Sequence, residues 1–256
     1  NWGKNSKLLT FEHKLKQGMI NKGYTPEFAE RLFNQIKGFG GYGFPESHSA
    51  SFALLAYVSS WLKCHHSAAF YVGLLNSQPM GFYSPSQLIQ DARRHHILVL
   101  PVDVNHSSWD HQLLSAANQQ QPPIRLGMRL IKGLSETAGK RINAAQREHA
   151  FSDVADLRQR ASLDRSHLEA LAAADALTSI SGHRYQSHWQ TMALEDHRPL
   201  LSDDPGLRHH HDDGVVLPAP GLAEEVIADY QSTGLTLRAH PLALLRQQRP
   251  FDQCRR

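Results

Sequence analysis

Tyr42, Ser47 and His48 stand at a joint in the chain, where the glycine-rich stretch 38–43 gives way to the apolar run Ser49–Leu62. An aromatic ring, a hydroxyl and an imidazole are thus presented where a helix begins. The first amides of a helix have no partner within it, and its dipole adds partial positive charge, so a phosphate is favoured there. This is the chemistry of half a nucleotide site.

The same stretch, Gly38-Phe39-Gly40-Gly41-Tyr42-Gly43, spells G-x-G-x-x-G. That fingerprint has meaning only after a strand and inside a βαβ unit. Here the preceding segment, PEFAERLFNQIK, reads as helix and no strand–helix alternation follows, so a dinucleotide fold is excluded. Two readings remain, a bend between helices or a loop whose glycines let the backbone pass close to a ligand.

A second constellation lies at Leu130–Ile142, LIKGLSETAGKRI. An apolar residue, a glycine turn and an immediate second helix make a helix-hairpin-helix, which grips a DNA phosphate with exposed amides and reads no sequence. Gly133 fits the turn, Leu134 the buried position, and Ala138 and Ile142 the packing face. Lys132, Lys140 and Arg141 would supply counter-charge to phosphate. Ser135 replaces the usual second glycine, and a plain αα-hairpin is the alternative.

Other residues offer less. The histidines come as neighbours (His65-His66, His95-His96, His209–His211) that point to different faces of an element, whereas zinc needs spaced ligands on rigid ones. No metal site is assigned. There is no Gly-x-Ser-x-Gly and no P-loop, and the paired aspartates 203–204 and 212–213 fall in a polar stretch poorly suited to holding magnesium. No catalytic residue is assigned either. Cys64 and Cys254 match no metal or disulfide spacing, and a reducing cytosol is the expected setting.

The elements that would position these residues are mainly helical. Phe11, Leu15, Met19 and Ile20 fall at helical spacing, and Thr25-Pro26 opens a second helix running to about Lys37. A helix from about Ser47 to His65 follows the bend, with another from Ser67 to Asn76 that continues it or is set off by a kink. Ser84-Pro85-Ser86-Gln87 is a capping-box start for a helix ending near His95. Short β-prone runs at 97–100, 108–114 and 124–128 predict a small β element, the last two flanking a polar turn. Helices are predicted over 136–147, 165–174 and 183–192, a linker over 197–220, and helical segments over 222–230 and 240–246. The 256 residues, 41% hydrophobic and 20% charged, suit a packed core, and a net charge of +3 permits a polyanion partner without demanding one. No run is long enough to span a bilayer. Beginning at Asn1 rather than methionine, the chain reads as a processed product or a piece of something longer.

Taken together, these residues resemble the bacterial C-family DNA polymerases, and more nearly the error-prone, damage-inducible relatives of the polymerase III alpha subunit. The resemblance is carried by GFGGYGFPESHSASFALLAYVSSWLK, LLNSQPMGFYSPSQLIQDARRH, LPVDVNHSSWD, IRLGMRLIKGL, LAAADAL and ADYQSTGLTLRAHPLALLR. It implies a mainly α chain, with a helical fingers region over 1–106, a small β element and helix-hairpin-helix region over 107–195, a flexible linker over 196–221, and a tail over 222–256 leading toward an OB-fold. It implies that Tyr42 lies against the incoming deoxynucleotide, that His48 sits beside its sugar, where bulk discriminates against a 2′-hydroxyl, and that Ser47 adjoins it at the helix start. Glu46, where the replicative branch has lysine, would point away from a triphosphate. His96 stands where the family has glycine after a helix, which brings the left-handed cap there into question.

The resemblance also implies partners: primer–template DNA, a deoxynucleoside triphosphate, mutagenesis accessory proteins and a sliding clamp, in the cytoplasm. Magnesium would be held by the aspartates of a palm region that this chain lacks, so the segment alone would be inactive. Truncation or a frameshift would explain both ends, the last residues RPFDQCRR having lost the family pattern. Readings of a different class are a non-catalytic, sequence-independent DNA-binding module, and an interaction segment whose tail docks accessory proteins.

Overall fold

The computed structural model describes residues 5–40, 46–115, 121–194 and 215–248, with side chains for 11–37, 48–115, 121–194 and 215–246. Among these, helix dominates, with one small sheet, as expected for a mainly α chain. Residues 1–61 and 62–256 form two compact units.

In the first unit, α1 (Asn5–Asn21) packs on α2 (Pro26–Gly40). Pro26 takes the first helical position of α2, where its missing N–H costs nothing, and the Phe28 N–H donates to Thr25 Oγ1 at 3.3 Å. Ala29 and Phe33 carry the buried face of α2. This helix runs on through Gly38 and Gly40, so the first glycines expected in the bend are helical, and residues 41–45 lie outside the described residues. From Glu46, α3 (Glu46–His65) runs out of this unit into the second.

The second unit opens with α4 (Ser67–Asn76) and α5 (Pro85–Arg94). His66, at φ −133° and ψ 49°, sets α4 off from α3, which decides for the kink over a continuous helix. Ser84 and Gln87 make the predicted capping box, each receiving the other's backbone N–H. At the far end of α5, His96 adopts φ 59° and the Ile97 N–H reaches back to Ala92 O at 3.1 Å. The left-handed cap is therefore made without glycine, a correction to what His96 suggested. Histidine tolerates this region better than most side chains.

Three two-residue strands follow: β1 (Val99–Leu100), β2 (Gln112–Leu113) and β3 (Ile124–Arg125), in the order β1-β3-β2. The polar turn joins antiparallel β2 and β3, with Leu113 opposite Ile124. β1 adds on the other side of β3, in parallel, with Val99 opposite Ile124. The strands are shorter than predicted because Met128 already belongs to a 3-10 turn, Met128–Leu130, and the backbone at Gly127 presses on its neighbour. A Cβ there would lie 2.4 Å from Trp109 O, so only glycine fits.

The remaining helices are α6 (Glu136–Gln146), α7 (Val154–Arg160), α8 (Arg165–Ala173), α9 (Thr178–Ser181), α10 (Arg184–Ala193), α11 (Leu222–Ser232) and α12 (Pro241–Gln248). Ile97, Val99, Val102 and Val104 are buried in one core with Ile131, Ile142, Leu157 and Leu171. The division expected after residue 106 therefore falls inside a continuous core. Of the expected linker, residues 195–214 lie outside the described residues. Its last part is anchored: Gln186 Nε2 donates to Val215 O at 3.1 Å, and the Leu217 N–H donates to Gln186 Oε1 at 3.2 Å. The expected tail is likewise part of this unit, since α11 packs on α8.

Candidate nucleic-acid interface

The predicted hairpin is present. After the Met128–Leu130 turn, the chain reverses at Gly133, whose φ of +87° lies in the left-handed region that glycine enters without strain. Leu134 then turns inward, 7% exposed, and Ser135 caps α6 by accepting the Ala138 N–H at 3.2 Å. Ala138 and Ile142 are fully buried, as their spacing predicted. Gly139 packs so closely on Trp109 that a Cβ would lie 2.3 Å from the indole Cε3.

The structure holds a second turn of the same design, between α7 and α8. Ser162 takes the left-handed position with φ 49°, Leu163 is buried at 5% exposure, and Asp164 caps α8 by accepting the His167 N–H at 2.9 Å. Gly133-Leu134-Ser135 and Ser162-Leu163-Asp164 thus match residue for residue. Sequence reasoning missed the second because serine, unlike glycine, gives no sign of a left-handed turn. The signal that could have found it is a leucine followed by a capping aspartate just before an apolar-periodic run.

The two helix starts lie side by side, with Ser135 Oγ on α6's cap 3.2 Å from His167 Nε2 in the first turn of α8. Their positive dipole ends are therefore brought close together. α6 and α7 are cross-braced behind them. Arg141 on α6 donates from Nε to Ala161 O at 2.8 Å and from Nη2 to Ser162 O at 3.1 Å, capping the end of α7. Arg160 on α7 reciprocates, its Nη2 donating to Ala145 O and, at 3.0 Å, to His149 O past the end of α6.

The predicted DNA-binding cations are not equivalent. Lys132 is exposed, but its Nζ donates to Tyr230 O at 3.1 Å and Gln231 O at 2.8 Å, and its N–H to Ser232 O at 2.9 Å. It caps the C-terminus of α11, where a cation meets the negative dipole end. Arg141 does the same for α7. Lys140, its side chain 67% exposed, pairs instead with a side chain, that of Glu136 at 2.6 Å. The hydrogen bond between them holds the Glu136 carboxyl below its ordinary range and raises Lys140.

Of the predicted nucleotide residues, Tyr42 lies outside the described residues, and so does the side chain of Ser47, whose backbone is in the first turn of α3. His48 is exposed on the same turn, its ring 4.4 Å from that of Phe52. Among the described residues no helix is long and apolar enough to cross a membrane.

A family model described as a helix-hairpin-helix motif matches residues 96–187, a span that contains the sheet and both turns. Curated relatives match along the whole chain. An error-prone DNA polymerase of Saccharophagus degradans is 56% identical over 258 residues, covering 100% of this chain and 25% of that protein. One of Teredinibacter turnerae is 54% identical over 99% of this chain and 24% of its own length. One of Methylococcus capsulatus is 49% identical over 96% of this chain and 25% of its own. The chain spans about a quarter of the length of these relatives. With that identity sustained from end to end, the chain is similar to about a quarter of the length of error-prone DNA polymerases, and part of it matches a helix-hairpin-helix motif.

Proposed function

We propose that this chain is the part of an error-prone DNA polymerase that grips DNA by its sugar–phosphate backbone and supplies one side of the site for the incoming deoxynucleotide. The observation that carries the DNA reading is the convergence of the α6 and α8 starts at Ser135 and His167. Two adjacent helix N-termini offer amides and positive potential to neighbouring phosphates of one strand, and neither reads a base. Gly133 sets the first turn, Lys140 adds exposed charge, and Lys132 and Arg141 hold the turns in place while contributing positive potential.

The test is binding of a fluorescent DNA duplex by the full chain across a salt series. Lys140→Glu and Arg165→Glu, one on each hairpin, are each expected to lower the log–log salt slope by about one. An unchanged slope in the double variant refutes the assignment.

Tyr42, Ser47 and His48 are proposed to receive the base and sugar of the nucleotide. In a full-length polymerase, Tyr42→Ala with His48→Ala is expected to impair nucleotide incorporation and to relax discrimination against ribonucleotides. Unchanged incorporation sinks that assignment. Translesion synthesis in damage-induced mutagenesis, a cytoplasmic location, and contact with a sliding clamp and accessory proteins are proposed with the family. Among the described residues no group of three or more histidine, cysteine or acidic side chains could hold a metal ion, and magnesium is proposed only for the intact polymerase.

A further inference from the structure

We infer that a buried charge network in the C-terminal part of the chain is the brace that holds the first hairpin turn in its DNA-gripping shape, with Asp229 and Arg238 acting as positioning residues. The positioning claim rests on the DNA-binding reading above; the brace itself does not.

Five charged side chains from four pieces of chain meet in this network. Arg184 on α10, 3% exposed, places Nη1 2.7 Å from Glu225 Oε2 and Nη2 2.6 Å from Asp229 Oδ1. Arg238, beyond α11, reaches Asp229 Oδ2 at 2.7 Å, Glu225 Oε2 at 3.0 Å and Asp175 Oδ2 at 2.6 Å. Thr236 Oγ1 donates to Asp229 Oδ2 at 2.6 Å. Asp229 and Glu225, 6% and 7% exposed, are thus each shared by two guanidinium groups. Burial pushes the Glu225 carboxyl upward even so, with Arg184 and Arg238 opposing it. Removing one partner leaves a desolvated charge without its match, which makes such networks unforgiving of single losses.

The network fixes α11, and α11 fixes the turn. Asp229 lies in the last turn of α11, directly before the carbonyls of Tyr230, Gln231 and Ser232 that receive Lys132. Lys132 immediately precedes Gly133, and the cap of α6 lies two residues further on. A shift of the end of α11 is therefore transmitted to the hairpin through three hydrogen bonds made by one residue. Neither Arg238 nor Thr236 needs to touch DNA for its loss to be felt there.

The experiment uses the full chain as Arg238→Gln and, as a gentler change with no charge lost, Thr236→Val. Hydrogen exchange without DNA reads the brace. The Lys132 amide, which donates to Ser232 O, is expected to exchange at least about tenfold faster in both variants, while the Ile142 and Leu171 amides in the shared core keep their protection. Duplex binding reads the consequence, an affinity loss of at least about fivefold in each variant, with Lys132→Met plus Arg238→Gln no worse than the weaker single variant. Unchanged exchange at Lys132 in both variants overturns the brace, whatever DNA does. Faster exchange with undiminished DNA affinity, where Lys140→Glu does weaken binding, overturns the positioning role and leaves the DNA reading standing. Failure of the unmodified chain to bind DNA overturns the DNA reading and the positioning role together, and the exchange result still decides the brace.

Discussion

His111 should make this fold sensitive to mild acid. The residue is 3% exposed beside β2 and is held on three sides. Its N–H donates to Asn76 Oδ1 at 2.9 Å, its carbonyl accepts from Asn76 Nδ2 at 3.0 Å, and its Nδ1 accepts the Gly127 N–H at 3.1 Å. A backbone N–H can only donate, so Nδ1 carries no proton in the folded state. Burial, helped by the nearby Arg129 charge and opposed by Asp110, pushes the imidazole down from 6.5 to about 4. The folded pKa lies below the unfolded one, so the unfolded chain binds the extra proton. The stabilisation is therefore complete above pH 6.5 and is lost as pH falls toward about 4. At about 1.4 kcal/mol per pH unit, the loss is about 3 kcal/mol. The partner variant is His111→Asn, whose side-chain carbonyl can accept the Gly127 N–H but does not titrate. Urea unfolding from about pH 7.5 to about pH 4 should show the parent losing about 3 kcal/mol more than the variant. Parallel stability curves would refute both the neutral state of His111 and the hydrogen bond given to its Nδ1.

Gly139→Ala should destabilise the fold by about 2 kcal/mol in urea unfolding, although alanine is the better helix former, because the new methyl meets the Trp109 ring; a neutral or stabilising result would mean the indole moves freely. Asp164→Ala should cost about 1 kcal/mol of stability by loss of the α8 cap, and Asp164→Ser should recover most of it; equal losses in both variants would count against capping as its role.

Much of the local structure was legible because its signals are local. The Ser84–Gln87 capping box, the turn at Gly133 and the buried spacing of Ala138 and Ile142 each need only a few neighbouring residues to be recognised. What escaped depends on distant partners or on strain without a compositional mark. Lys132 looked like a phosphate ligand because its partners, the carbonyls at 230–232, lie about a hundred residues away. The parallel strand β1 gave no hint of pairing with β3, since a two-residue strand carries no periodicity. The short helix α7 was overlooked although Asp153 caps it. His96 and Ser162 adopt left-handed backbones that sequence reserves for glycine. For the nucleotide joint, Tyr42 and the Ser47 side chain lie outside the described residues, so the sequence remains its main support.

The cross-bracing of the hairpins bears on how a chain of net charge +3 could hold a polyanion. Basic residues counted along Leu130–Ile142 suggest a patch that works by charge alone. In the structure two of the three also act as helix caps, Lys132 closing the end of α11 and Arg141 the end of α7. Each cation thereby sits against the negative end of one helix while steadying the start of another. That use of charge is suited to a grip made by backbone amides, whose strength depends on the turns holding their shape more than on the number of lysines offered to solvent. It also accounts for a serine and an aspartate as caps where a purely cationic surface would leave no room for acids. Both side chains satisfy an amide within the first turn, that of Ala138 and that of His167. On this reasoning the salt dependence of DNA binding should be shallow, and damage to the braces should matter as much as loss of an exposed charge.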